Sequence, residues 1–458
     1  MSAYPSKRTL SFALLLAMAA AFGMAWASAP ASAADAGSTS ARAYVPGQVL
    51  VQYAEGQTPQ AIPVPEGTNV EALADAIEGN PAIESATPNY IARTSGWLPN
   101  DPGLNPPKRG PAGNWQTRQW NFLPCLSLCS GGASVARQSR GGMNVIRGWQ
   151  RLRKARRAGA RGIRIAVLDT GIAYRSLGKQ FRRNPDLAPR TFLPGYDFVE
   201  RDRIPLDLNG HGTHIASTIA QATDNRRGLT GIAYGARVIP VRVMDGNGFG
   251  TTLNIIRGIR WAAKRGARVI NMSLNFACGE SIPALDDALR YANGQGAVLV
   301  GSAGNIGSQA CPSLPATSPR VISVGGSTES GCVADYSFKS NQIDVTAPGG
   351  GTARPDCPFS SANRPIFQVA MVSRIPRWYG IERSWSGTSM AAAHVSAAAA
   401  AVVASGVLRN GRVNPSTVRQ RLKATARLPE FAAGQPDSGF GAGIVDLGLA
   451  LNPKFAAR

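Results

Sequence analysis

The stretch Ser384-Trp385-Ser386-Gly387-Thr388-Ser389-Met390-Ala391-Ala392-Ala393-His394-Val395-Ser396 runs into an alanine-rich segment that ends at Ala404. From Met390 onward the residues are mostly Ala and Val with no polar face, the pattern of a helix buried on every side. One reading is a small-residue helix packed against a sheet, with Ser386 or Ser389 as caps. The other is chemical. A serine becomes a nucleophile when a base takes its proton, a sharp bend exposes its oxygen and donors hold the oxyanion it creates. Gly387 supplies the bend, and Ser389 then stands at the amino end of the helix, where backbone dipoles favour developing negative charge.

The search for a base is short, because the chain has 3 His. His211 and His214 stand together in Asn209-Gly210-His211-Gly212-Thr213-His214, and the third is His394 in the stretch already quoted. Upstream, Ile163 to Leu168 is apolar except for Arg164 and closes in Asp169-Thr170-Gly171. That pattern predicts a strand covered on both faces whose carboxyl end presents Asp169, where open α/β sheets place their chemistry. In chain order the three residues are Asp169, His211 and Ser389, one of the known orders of a serine triad. An Asp at a strand end is also an ordinary cap.

Four segments carry a resemblance: Val167-Leu168-Asp169-Thr170-Gly171, His211-Gly212-Thr213-His214, Gly301-Ser302-Ala303-Gly304-Asn305 and Gly387-Thr388-Ser389-Met390-Ala391. In this order and at these separations the chain resembles the subtilisin-like serine peptidases, or subtilases. The resemblance implies that Ser389 attacks a peptide carbonyl, that His211 moves the proton and that Asp169 orients the imidazole. It selects His211 over His214, which the spacing alone leaves open, and it leaves His394 structural. It implies that the Asn305 amide joins the Ser389 backbone N–H in an oxyanion hole, although Asn305 also suits a plain turn after Gly304. Gly248, Phe249 and Gly250 on one side, and Ser273, Leu274 and Asn275 on the other, match the edges between which an extended substrate lies as an added strand. Two departures stand out. Asn275-Phe276 replaces a usual pair of glycines, and Ala393 replaces the usual proline before His394.

The 458 residues exceed one average domain, and 44% hydrophobic content is ample for a large core. Lys7 and Arg8, the apolar run Leu10 to Ala27 and the small residues Ala31-Ser32-Ala33 read as a secretory signal over residues 1–33. No later apolar run reaches the roughly 20 residues that span a bilayer, so no membrane anchor is expected. Export to an oxidising compartment suits an even 6 Cys. The expected pairing joins sequence neighbours, Cys125 with Cys129, Cys278 with Cys311 and Cys332 with Cys357. Metal binding at Cys125 and Cys129 is the alternative.

Residues 34–96 form a leader with its own pattern. Val49, Val51 and Tyr53 alternate as in a half-buried strand, Thr68 with Glu71 makes a capping box, and Val70, Leu73, Ala74 and Ile77 share a helical face. A second strand is expected from Ile83 to Ile91. Asn80-Pro81-Ala82-Ile83-Glu84 and Pro88-Asn89-Tyr90-Ile91 resemble the family's inhibitory propeptide, which implies a zymogen cut between Arg93 and Asn100. A permanent accessory domain is the other reading. The leader carries Asp35, Glu55, Glu66, Glu71, Asp75, Glu78 and Glu84 against Arg42 and Arg93, whereas the whole chain is at +22. An acidic leader therefore precedes a basic body, and opposite charge favours their docking.

In the body, residues 97–458, strands are expected at 237–243, 268–274, 297–302 and 321–324. Helices are expected at 253–264, 282–293 and 415–426. This alternation predicts an α/β fold, a doubly wound mostly parallel sheet, preceded by the small α+β leader. The basic run Arg151 to Arg157 reads as a solvated helix face, and no nucleic-acid partner is expected. The segment 351–383 is expected to be a surface insertion. Structural calcium is compatible with the resemblance, but no EF-hand-like ligand string marks its residues, and the chemistry requires no cofactor. The expected partners are protein or peptide substrates and the chain's own leader, acting on a secreted monomer. Two readings from other classes stay open, an esterase using the same triad and a catalytically dead basic binding protein.

Overall fold

Apolar residues at every second position give the first strand one dry face. The computed structural model of the protein describes residues 44–53, 59–65, 67–90, 97–105, 107, 110, 113–125, 138–307, 313–359, 364–373, 375–382, 384–408, 413–433 and 439–455. It separates into two units, Met1–Ser95 and Gly96–Arg458. The secretory-signal residues, residues 93–96 of the expected cleavage window between Arg93 and Asn100, Cys129 and Cys311 lie outside the described residues.

In the first unit, β1 (Tyr44–Tyr53), β2 (Gln60–Pro63) and β3 (Ile83–Tyr90) form an antiparallel sheet in the order β2-β1-β3. Helix α1 (Val70–Glu78) packs Val70 and Ala74 against Val49, Val51 and Ala86. Strand β2 was not foreseen; only Ile62 turns inward in it, too little for a periodic signal. The cap also differs from the expectation. Asn69, not Thr68, accepts the N–H groups of Glu71 and Ala72 at 2.9 and 3.1 Å. Helical geometry starts at Val70, so the extended residue just before it is the one whose side chain reaches the free donors.

In the second unit, after short helical turns at Trp115–Arg118 and Trp120–Phe122, α2 (Val145–Lys154) buries Trp149 and Leu152 and turns Arg153 and Lys154 outward. Strand β4 (Arg164–Asp169) follows, then β5 (Tyr196–Asp197), α3 (His211–Ala220), β6 (Arg237–Arg242) and α4 (Thr252–Lys264). Next come β7 (Val269–Met272), α5 (Pro283–Gly294), β8 (Val298–Ser302), β9 (Val321–Ser327) and β10 (Val345–Pro348). A short antiparallel pair, β11 (Gln368–Met371) and β12 (Tyr379–Glu382), precedes α6 (Thr388–Ser405) and α7 (Pro415–Ala424). The seven strands of the main sheet are parallel, in the order β10-β9-β8-β7-β4-β6-β5.

Strand β4 shows why the sheet is covered twice. Ile165 and Val167 enter one apolar cluster, with α2, α3 and α6, while Ala166 and Leu168 enter another, with α4 and α5. The strand order reverses at β4, which has β6 on one side and β7 on the other. Ligands of open α/β sheets bind where such a reversal opens a crevice beyond the carboxyl ends. Helix α6 is the core of the first layer, buried from Thr388 to Val402. Among the described helices it is the one long and apolar enough to cross a membrane by length and composition, and its burial reflects this packing.

Two sequence expectations meet the fold here. Cys332 and Cys357 are joined, with Cα atoms 5.8 Å apart. The segment 351–383 is not simply a surface insertion. Ile366 and all of β11 are buried, and the carbonyl of Val369 accepts from Ser217 Oγ on α3 at 2.9 Å and from Asn184 Nδ2 at 2.7 Å. Its Pro, Ser and Arg residues give a loop-like composition that hides four buried strand residues.

Candidate active site

The carboxyl end of β4 delivers Asp169, fully buried, and Thr170 N–H donates to its Oδ1 at 2.8 Å. His211 opens α3, and its Nδ1 lies 2.7 Å from the same Asp169 oxygen. The approach requires a glycine next to the histidine. A Cβ on Gly212 would sit 2.1 Å from the Gly171 carbonyl and 3.0 Å from Asp169 Oδ1.

Asp207 ties the two elements together, and the sequence reading missed it. Its Oδ1 accepts from Thr170 Oγ1 and from the backbone of Asn209 and Gly210, each at 2.9 Å. Its Oδ2 accepts from Thr213 N–H at 2.9 Å and Thr213 Oγ1 at 2.6 Å. An acid four residues before the helix start is the available signal, since a carboxylate there meets free N–H groups and the positive end of the dipole. Burial pushes the Asp207 carboxyl up, and the donors hold it back only in part.

His211 keeps 14% of its side chain exposed. Burial alone would lower its pKa, but the Asp169 charge and hydrogen bond, then the Asp207 charge, leave it raised above 6.5. The other two histidines are differently placed. His214, one turn along the same helix, is fully buried, with Nε2 at 2.9 Å from the Ile366 carbonyl, and burial takes it down to about 3. His394 is also buried. Its Nδ1 is 2.8 Å from the Met390 carbonyl, its Nε2 is 2.7 Å from Asn121 Nδ2, and burial takes it to about 4.

Ser389 occupies the first turn of α6 after Gly387, whose φ of 155° and ψ of 164° belong to glycine. A Cβ at Gly387 would also stand 3.1 Å from Asn305 Nδ2. Ser389 Oγ donates to the Ser273 carbonyl at 3.4 Å, and Ser273 Oγ donates to the Ser389 carbonyl at 2.9 Å. Asn305 Oδ1 accepts from Thr388 N–H and Thr388 Oγ1, both at 2.8 Å. The oxygen is thereby occupied and the two amide N–H groups are left to donate.

A cavity of about 420 Å³ unites these groups. His211, Ser389 and Thr170 line it together with Gly248, Phe249, Gly250, Ser273, Leu274 and Asn275. Trp385 and Phe276 complete part of the wall. Asn305 is not among the lining residues. The loop bearing Phe249 is fixed by Asp245, whose N–H donates to the Phe249 carbonyl at 2.8 Å and whose Oδ1 accepts the Phe249 N–H at 3.0 Å. Asn275 lines the cavity, but its Nδ2 donates to the Ser302 carbonyl at 2.6 Å and its Oδ1 accepts from Ser302 Oγ at 3.1 Å. Its amide is therefore engaged by the neighbouring strand end.

The profile of the subtilase family matches residues 160–443. The chain belongs to the subtilase family. A thermophilic serine proteinase of Bacillus sp. (strain AK1) is 32% identical over 407 residues, covering 84% of this chain and 83% of that protein. An extracellular protease of Xanthomonas campestris pv. campestris is 32% identical over 349 residues, covering 68% of this chain and 53% of the other. Among solved structures, a protease from Pseudoalteromonas arctica PAMC 21717 is similar with a TM-score of 0.57 and 28% identity, over 77% of this chain and 98% of that one. The subtilase is a subtilisin-like serine peptidase acting on protein substrates.

Among the described residues no three His, Cys, Asp or Glu side chains gather as a metal centre. Two buried carboxylates do approach a common loop. Asp101 accepts the N–H groups of Asp224 and Asn225 at 2.8 and 3.1 Å. Asp186 accepts from Asn225 Nδ2 at 2.8 Å, from Leu229 N–H at 3.0 Å and from Gln221 Nε2. Burial dominates both and raises Asp101 to about 6 and Asp186 to about 7. No ion pair neutralises either among the described residues. A carboxylate offers about four acceptor positions, so each retains room for a hard cation.

Proposed function

We propose that the subtilase is a secreted serine endopeptidase made as a zymogen, with Asp169, His211 and Ser389 as its triad. The observation that carries the reading is the 2.7 Å contact of His211 Nδ1 with buried Asp169, beside a cavity that His211 shares with Ser389. The contact keeps the Nδ1 proton toward the carboxylate and leaves Nε2 as the base. A rotation about the Ser389 Cα–Cβ bond exchanges the long 3.4 Å bond to Ser273 for one to that nitrogen. Ser389 Oγ then attacks the carbonyl carbon of a bound peptide, and His211 takes the proton. The oxyanion accepts from the Ser389 backbone N–H and the Asn305 amide. His211 next protonates the leaving amine, and a water repeats the sequence to release the acyl group.

The acyl half of the substrate lies between Gly248–Gly250 and Ser273–Asn275, bound through backbone groups. Asn275 and Phe276 narrow the pocket for the residue before the cut. The leader is the intramolecular inhibitor that self-cleavage removes, and the extracellular relative in Xanthomonas supports export. The chemistry uses protein groups alone. Calcium would be held by Asp101, Asp186 and backbone oxygens of the loop around Asn225, where it would supply positive charge to two buried carboxylates and stability to the fold.

Expression of Ser389→Ala tests the function. The leader stays attached and casein hydrolysis disappears if the reading holds; a processed, proteolytic variant would refute it. An esterase lacking a peptide groove would hydrolyse small esters in wild-type form and leave casein intact.

A further inference from the structure

Strands β11 and β12 end in an arm beside the catalytic cavity. A side chain on Gly210, the residue before His211, would meet Met371 Cβ at 3.5 Å and Trp385 Cζ2 at 4.0 Å. Trp385 itself stands edge-on to the His211 ring, with centroids 5.2 Å apart. Met371 is buried and closes β11, and the chain then turns outward. Val372, Ile375 and Trp378 are 47%, 46% and 57% exposed. Several large apolar side chains exposed on one short arm are a mark of a binding surface.

The arm is held in place. Val372 N–H donates to the Trp378 carbonyl at 3.2 Å, Arg182 N–H donates to the Pro376 carbonyl at 2.9 Å, and the Tyr379 hydroxyl donates to the Arg182 carbonyl. These bonds join it to the loop carrying Arg182. Arg182 and Arg377 are both exposed, and no carboxylate pairs with either among the described residues. The surface is therefore apolar with free positive charge.

The chemistry gives the arm a direction. In the triad reading, on which this inference rests, the acyl half of the substrate occupies the side of the cavity made by Gly248–Gly250 and Ser273–Asn275. The amine half departs where His211 protonates it, beside Trp385, which lines the cavity, and Gly210, against which Met371 packs. We propose that Val372, Ile375, Trp378, Arg182 and Arg377 form an exosite for the part of a polypeptide substrate beyond the scissile bond. Its preferred occupant is an extended segment with an apolar side chain flanked by carboxylates. The apolar side chain packs on Trp378 and Ile375, and the carboxylates meet the two guanidinium groups. The arm thus selects among proteins without touching the reacting atoms.

The test compares two substrates with one acyl half. The first is a peptide p-nitroanilide, which has nothing beyond the cut. The second is a quenched fluorescent peptide with a Glu-Leu-Glu segment on the amine side, matched by a Lys-Leu-Lys version. Wild type is expected to prefer the acidic peptide, and Trp378→Ala with Arg377→Glu to lower its kcat/KM at least about tenfold, the loss of one hot-spot contact. Arg182→Glu alone acts in the same direction. Anilide hydrolysis and the melting temperature stay unchanged, and the preference shrinks at high salt. An equal loss on both substrates, or no loss on the acidic peptide, overturns the exosite. Variants that cleave normally but no longer sediment with phosphatidylglycerol vesicles would also overturn it and assign the arm to a lipid surface. A wild-type enzyme that cleaves neither substrate would instead refute the triad reading, and the exosite with it.

Discussion

His211 is where the charge state of the site is decided. In the proposed triad only its neutral imidazole accepts the Ser389 proton, so kcat/KM is expected to rise as pH climbs through its pKa. Asp169 and Asp207 hold that pKa above 6.5 against the lowering effect of burial. The acidic limb of the pH profile is therefore expected above the ordinary histidine value. Asp169→Asn should leave the fold melting as before and cut kcat by about 10,000-fold through loss of the tautomer; a profile and rate like wild type would contradict this. Asn305→Ala is expected to cost about 100- to 1000-fold in kcat with little change in KM, the effect of one oxyanion donor. The residues are unequally visible in the sequence. Asp169 closes a strand and Ser389 stands in the first turn of a helix, both recognisable from their apolar patterns; Asn305 is marked only by the family resemblance, and the three-residue spacing of His211 and His214 offers no choice between them. Burial separates the two, since His214 faces the Ile366 carbonyl and is held neutral.

Elements place these groups, and their tight contacts give sharp expectations. The Gly212 position in α3 touches the Gly171 carbonyl, so Gly212→Ala must push the helix from β4. Activity should fall by orders of magnitude while far-ultraviolet circular dichroism still shows the α/β fold. Helix α6 leaves no space around Ala398, which is fully buried; Ala398→Leu should destabilise by about 1–3 kcal/mol in a melting experiment through overpacking. Most strands and helices of the sheet were legible because a doubly covered strand is apolar throughout and its helices keep a 3.6-residue stripe. Strand β11 was not. Gln368-Val369-Ala370-Met371 is too short to show a period, and its burial depends on α3, distant in sequence. Asn69 took the cap from Thr68 because one residue of shift leaves the sequence pattern nearly unchanged.

For the molecule as a whole, the least legible feature is the convergence of Asp101 and Asp186 on the loop around Asn225, which only folding can assemble. Their raised carboxyls fix the sign of a pH effect. Without a cation these two groups bind protons more tightly in the folded state than in the unfolded chain, so their contribution to stability is fully present below about pH 4, the ordinary carboxyl range, and is lost as pH rises through about 6 and 7. Thermal melts in chelator should fall across that window, and calcium should restore the melting temperature most at pH 7 and above. A chelator-insensitive wild type would dismiss the cation site, and Asp186→Asn should remove the calcium response. The central claim concerns Ser389 and its base, and covalent labelling measures it most directly. Treating the mature enzyme with a peptidyl phosphonate and mapping the adduct by mass spectrometry should give one modified residue, Ser389, with labelling abolished in His211→Ala. A folded enzyme that hydrolyses casein yet carries no adduct at Ser389, or carries it on another serine, would contradict the account.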